Sequence, residues 1–207
     1  MIQEWLNKCP LIAILRGIQT DEVNAMFSAL SFLGIVIAEI PLNSPEPLRS
    51  IQQASSVFGD RMLVGAGTVT RVSDVAAAQE AGAKLIVSPN ADPRVVREAK
   101  RRDLIALPGV ATATEAFSMI RAGADALKIF PADVVGTHFV KALRAVVPTE
   151  TLLIPVGGVD ARTIPNWIRA GVNGLGVGSA LYRPGASIHD TSVRARSLLE
   201  STQILNG

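Results

Sequence analysis

The chain has 207 residues, 48% of them hydrophobic, 18% charged and 4% aromatic, and its 20 Lys+Arg against 18 Asp+Glu leave a net charge of +2. That length and apolar content bury a full core and exclude a disordered chain. The small cationic excess, with no run beyond Lys100-Arg101-Arg102, carries no nucleic-acid footprint. One cysteine, Cys9, excludes an internal disulfide framework and a Cys-based zinc site. Only His138 and His189 are left as imidazole ligands, too few for a transition-metal centre, although a carboxylate-bound Mg²⁺ stays open. No apolar run reaches the roughly 18 residues of a membrane span. Glu4 and Pro10 break the layout of a signal peptide, so a cytoplasmic protein with no membrane partner is expected.

One unit recurs along the chain: a short apolar run, a turn rich in Gly, Pro, Asn or Thr, then a helical pattern. The first run, Leu11–Arg16, precedes a helix start at Thr20-Asp21-Glu22, and that helix ends at Leu33-Gly34. The second, Ile35–Leu42, precedes a start at Ser44-Pro45-Glu46. The third, Met62–Thr68, leads to a helix carrying Ser73-Asp74 in its first turn and ending at Ala81-Gly82. Lys84–Pro89 and its Asp92-Pro93 start follow, then Leu104–Pro108 and Thr112-Ala113-Thr114-Glu115, whose helix ends at Ala122-Gly123. Ala126–Phe130, Leu152–Val156 (with a helix end at Ala170-Gly171) and Gly174–Gly178 complete eight runs. Strands that are apolar on both faces are parallel and covered on both sides. Eight consecutive strand–helix units therefore predict a (β/α)₈ TIM barrel, one domain over 1–207, with an open doubly wound sheet as the alternative. The chain falls short of the roughly 250 residues typical of such barrels, so its loops and its substrate should be small.

In such a barrel the reacting groups lie at the C-terminal strand ends. Alternation puts Ala126, Lys128 and Phe130 on one face and Leu127 and Ile129 on the other, which sends Lys128 inward. Burial disfavours the ammonium form, and a neutral amine attacks carbonyls to give a Schiff base; the competing role is a structural lysine paired with a carboxylate. Ile35, Ile37, Glu39 and Pro41 share a face by the same count. Glu39 there is either a general acid–base or the ion-pair partner of Lys128. Arg16, inward with Ile12 and Ile14, anchors a carboxylate, aligns Glu39 and a water, or is simply solvated. Thr68 closes the third strand. Gly157-Gly158 and Gly174–Ser179 end the seventh and eighth strands, where these barrels build phosphate sites from backbone amides and a short helix N-terminus. The Gly174–Gly178 spacing is not a dinucleotide fingerprint, because no long βαβ unit follows it.

These residues resemble the 2-keto-3-deoxy-6-phosphogluconate/galactonate aldolases. The resemblance runs from Leu11 to Tyr182 through Leu-Ile-Ala-Ile-Leu-Arg16-Gly, Ala-Glu39-Ile-Pro-Leu-Asn-Ser-Pro, Gly-Ala-Gly-Thr68-Val, Ser-Pro-Asn90, Ala-Thr-Ala-Thr-Glu-Ala, Ala-Leu-Lys128-Ile-Phe-Pro and Val-Gly-Gly-Val. It implies a class I aldolase on a (β/α)₈ barrel, a homotrimer, acting on a phosphorylated 2-keto-3-deoxy sugar acid to release pyruvate, with no cofactor and no metal. It makes Lys128 the Schiff-base lysine and Glu39 the proton-transfer residue, and places Arg16 and Thr68 at the pyruvyl end. Gly157, Gly158, Gly178 and Ser179 fall in the phosphate region. The gluconate branch typically carries Thr-Leu-Arg-Thr after the glutamate and a Thr before the Gly-Gly. This chain has Pro41-Leu42-Asn43-Ser44 and Val156, which implies the galactonate branch, with Val156 facing the substrate's C4 hydroxyl. The alternatives are the gluconate or a dual-specificity enzyme and, more remotely, a phosphate-binding barrel isomerase or epimerase. A non-catalytic sugar-phosphate binder would keep the glycines but not need Lys128 and Glu39.

Overall fold

The computed structural model describes residues 1–203; the last four positions of the expected 1–207 domain lie outside them. The strands are β1 (Leu11–Ile14), β2 (Ile37–Pro41), β3 (Leu63–Gly67), β4 (Leu85–Val87), β5 (Ile105–Leu107), β6 (Gly109–Val110), β7 (Leu127–Ile129), β8 (Leu153–Pro155) and β9 (Leu175–Val177). All pair in parallel, and they form a curled α/β system of two sheets, β5-β4-β3-β2-β1-β9 and β6-β7-β8. Each of the eight expected runs contains a strand, but the ladder is not one continuous ring. The fifth run ends at Pro108, which has no N–H to donate, and the chain resumes pairing beyond it as a separate strand, β6. The Pro108 carbonyl still accepts from the Lys128 amide at 2.9 Å, and a single parallel bridge, Val156–Gly176, links β8 to β9.

The helices are α1 (Ile2–Lys8), α2 (Val23–Phe32), α3 (Pro47–Phe58), α4 (Val72–Glu80), α5 (Pro93–Arg101), α6 (Ala113–Ala122), α7 (Ala132–Arg144), α8 (Ile164–Arg169) and α9 (Ile188–Thr202). Several begin where capping chemistry places them. The Asp92 carboxylate accepts from the Arg94 amide, and Thr112 with Glu115 forms a capping box. The helix-end glycines Gly34, Gly82, Gly123 and Gly171 all have positive φ. Two starts differ. Thr20–Glu22 is a 3₁₀ turn ahead of α2, and α3 begins at Pro47 rather than at Ser44, because the Ser44 hydroxyl is engaged with the Gly17 amide at 2.9 Å.

Two apolar clusters follow the strand alternation. Leu11, Ala13, Ala38, Ile40, Leu127 and Ile129 pack under the helices. Ile12, Ile14, Ile37, Leu63, Leu85, Ala126, Ile154 and Val156 meet one another across the two sheets. Ile35 departs from the expected face; it lies before β2 begins and packs with the helices. The unexpected α1 adds Ile2 and Leu6, one turn apart, to the inter-sheet cluster. Leu6 lies close over Gly174, where a Cβ would come within 2.8 Å of its side chain.

Candidate active site

Glu39 and Lys128 are charged residues set inside the inter-sheet core, 1% and 4% exposed. On β2, Glu39 is in register with Ile14 of β1 and Gly65 of β3. On β7, Lys128 is in register with Gly109 and with Ile154 of β8. Burial pushes the Glu39 carboxyl up to about 7, with the charges of Lys128 and then Arg16 pulling the other way. Burial likewise pushes the Lys128 ammonium down, with the Glu39 charge opposing. Desolvation outweighs attraction at both ends. The two groups do not make a direct ion pair: no Glu39–Lys128 approach within 4.0 Å is present among the described residues, and the buried Glu39 Oε2 has no hydrogen-bond partner. The ion-pair role therefore lacks the contact it requires. The Lys128 Nζ instead lies 4.7 Å from the centroid of the Phe130 ring.

Gly67 makes the Glu39 position possible. A Cβ at Gly67 would overlap the Glu39 carboxylate, and Gly67 is not in the positive-φ region, so clearance is the reason for glycine there. Thr68 follows in a left-handed conformation, φ 56°, unusual for a β-branched residue. Its hydroxyl accepts a long contact, 3.4 Å, from Arg16, whose other terminal nitrogen donates to Asn43 Oδ1 at 2.6 Å. Arg16 is thus held in place although exposed.

A cavity of about 550 Å³ opens beside these groups. Arg16, Phe130, Val156, Gly157, Gly158, Gly178 and Ser179 line it, so the expected residues at the ends of β1, β8 and β9 converge. Lys128, Glu39 and Thr68 are not in its wall; Phe130, just past the end of β7, lines it and carries the Lys128 Nζ against its ring. Gly157 and Gly158 have φ of 109° and 64° and pack against Asp133, so both conformation and space require glycine. The helix expected after β9 is a single turn: the amides of Leu181 and Tyr182 both bond the Gly178 carbonyl.

Five participants escaped the sequence reading of the site. Asn43 had no signal beyond standing where the gluconate branch carries an arginine, and the clearance at Gly67 exists only across two strands. Arg162 and Arg183 follow the glycine turns directly in sequence and also line the cavity. Arg194 joins them from α9, with Ser197 and Leu198; the i, i+3, i+4 spacing was legible, but not where that helix would pack.

Comparison with known proteins agrees with this arrangement. The 2-dehydro-3-deoxy-6-phosphogalactonate aldolase of Escherichia coli (strain K12) is 44% identical over 198 residues, 96% of this chain and 97% of the relative. A probable 2-dehydro-3-deoxy-6-phosphogalactonate aldolase of Rhizobium meliloti (strain 1021) is 41% identical, covering 96% and 93%. A solved structure described as native KDPGal superposes with a TM-score of 0.94 at 44% identity, over 95% of this chain and 96% of that one. A family model described as KDPG and KHG aldolase matches residues 2–194, and the chain belongs to that aldolase family.

Proposed function

We propose that the protein is a class I aldolase that cleaves 2-dehydro-3-deoxy-6-phosphogalactonate into pyruvate and D-glyceraldehyde 3-phosphate. The observation that carries this reading is the desolvated, unpaired couple of Lys128 and Glu39 beside a glycine- and arginine-lined cavity. An isomerase or epimerase would use the same anion end but has no need of a buried lysine, and a mere binder has no need of either group. The direct assay is pyruvate release from the phosphorylated galactonate substrate; no release would overturn the reading.

Neutral Lys128 adds to the C2 carbonyl, and loss of water with uptake of one proton from solvent gives the protonated imine. Glu39, through a water, takes the C4 hydroxyl proton. The C3–C4 electron pair flows into the imine, C4 becomes the aldehyde of glyceraldehyde 3-phosphate, and an enamine is left. The Glu39 proton returns to C3, and hydrolysis frees pyruvate and Lys128. Arg16, fixed by Asn43 and beside Thr68, holds the substrate carboxylate. Gly157, Gly158, Gly178 and Ser179 receive the phosphate. A closed (β/α)₈ barrel in one domain is the frame proposed for this. Its support is the pair of links across the sheet gaps, at Pro108 and at Val156–Gly176. The homotrimer that the resemblance implies is read by sedimentation. No described helix is long and apolar enough to cross a membrane, and a cytoplasmic location is part of the same proposal.

The pH profile tests the base. Glu39 accepts a proton only when ionised, and its pKa is raised to about 7. Turnover should therefore rise with pH up to about 7, falling about tenfold per unit below it. That limb should disappear in Glu39→Gln; a limb that persists unchanged assigns it to another group.

Val156 tests the epimer. It lines the cavity, 8% exposed, with its side chain packed over Gly176. An apolar wall offers a C4 hydroxyl no hydrogen bond, whereas threonine of the same shape does. Wild type should prefer the galactonate substrate and discriminate modestly against the gluconate epimer. Val156→Thr should raise relative kcat/KM for the gluconate epimer about tenfold, the scale of one neutral hydrogen bond. An unmoved epimer ratio reduces Val156 to packing.

A further inference from the structure

Four arginines and one aspartate line the cavity. The aspartate is fully engaged: Asp160 accepts from the amides of Arg162 and Thr163, and from the Arg162 guanidinium at 3.0 Å. The Arg162 side chain is 91% exposed and tied to that carboxylate. Arg183 is exposed and donates to the Ser179 carbonyl at 3.1 Å. Arg16 is committed to Asn43 and Thr68 at the other end. Arg194 is different. It projects from α9 together with Ser197 and Leu198, its side chain is only partly exposed, and its buried terminal nitrogen Nη1 has no acceptor among the described residues.

A buried guanidinium N–H without an acceptor is costly unless an oxyanion meets it. We propose that Arg194 is a direct ligand of the substrate's phosphate, the side-chain cation of a subsite whose backbone half is Gly157–Gly158 and Gly178–Ser179. The proposal rests on the aldolase reading and deepens it. The glycine turns offer neutral N–H donors, and a phosphate monoester carries nearly two negative charges at neutral pH, so a fork-shaped cation on the facing helix supplies what the turns lack. α9 thereby becomes part of the binding site, and phosphorylated substrates are selected by charge as well as by shape.

The test compares wild type, Arg194→Gln and Arg194→Lys. With the phosphorylated substrate, Arg194→Gln should raise KM on the order of 10–100-fold, the scale of a lost charged hydrogen bond, while kcat changes far less. With the non-phosphorylated analogue kcat/KM should not change. Arg194→Lys should restore part of the KM, since a point charge replaces the fork only partly. The affinity of inorganic phosphate, measured by calorimetry, should fall in Arg194→Gln alongside the KM change. Equal losses with both substrates, or unchanged phosphate affinity, overturn the proposal. The phosphate measurement does not depend on the aldol chemistry. Borohydride trapping of pyruvate does, and it should be equal in all three proteins, so its failure in wild type would instead sink the aldolase reading.

Discussion

Borohydride reduction in the presence of pyruvate is expected to add one reduced pyruvyl group per chain, on Lys128, and Lys128→Met is expected to lose the adduct and to lower turnover on the order of 10⁴-fold or more, the scale of removing a nucleophile. The chain has four other lysines, and none of them is buried as Lys128 is. Lys84 is exposed at the start of β4, with its Nζ 3.5 Å from the Gly59 carbonyl. Lys100 pairs with Asp125 at 2.6 Å. Lys8 lies over the Trp5 ring, and Lys141 is exposed on α7. At Lys128 burial works against the ammonium form, and an amine reacts with a ketone only when neutral. Methionine matches its unbranched stem and removes a buried charge, so the variant should fold and the loss be chemical. Mass mapping of the tryptic peptides decides the point; an adduct on Lys84 or Lys141, or none, ends the Schiff-base mechanism. EDTA should leave turnover intact, and inhibition reversed by a divalent cation would point to metal-dependent chemistry instead.

How far the sequence reveals this site depends on the range of the interaction concerned. Alternation within a strand is local, so the inward positions of Lys128, Glu39 and Val156 could be counted from Ala126, Ile37 and Ile154, and the clusters agree. Capping is local too, which is why Asp92 and Thr112 mark their helices correctly. Ser44 misled because its hydroxyl had a tertiary partner, the Gly17 amide, that competes with capping. The split at Pro108 follows from a missing N–H, a local fact, but whether neighbouring strands bridge it is not local. The break in ladder continuity is therefore a finding of the structure. The Arg16–Asn43 bond and the reach of Arg194 from α9 each join distant segments, and no periodicity encodes them.

The clearest such case is Gly67, and it yields the second large expected effect. Glu39→Gln should lower turnover roughly 10²-fold or more, the scale of a lost general acid–base, while leaving pyruvate trapping on Lys128 measurable. Gly67→Ala should reproduce that pattern without touching the carboxylate chemically. Its backbone is not in the positive-φ region, so alanine brings no conformational strain, and the group its Cβ meets is the tip of the Glu39 side chain rather than fixed backbone. A flexible carboxylate yields before a strand does, so the expected cost falls on Glu39's position more than on stability. Gly67 is then a positioning residue that acts through Glu39. Its signature is non-additivity: with Glu39 already replaced by Gln, adding Gly67→Ala should cost little further turnover, because the group it displaces no longer transfers protons. The acid limb of the pH profile should also weaken in Gly67→Ala, as it does in Glu39→Gln. Multiplying losses in the double variant, or near-normal turnover in Gly67→Ala with an intact acid limb, would mean that Glu39 works from a position other than the one it occupies beside Gly67.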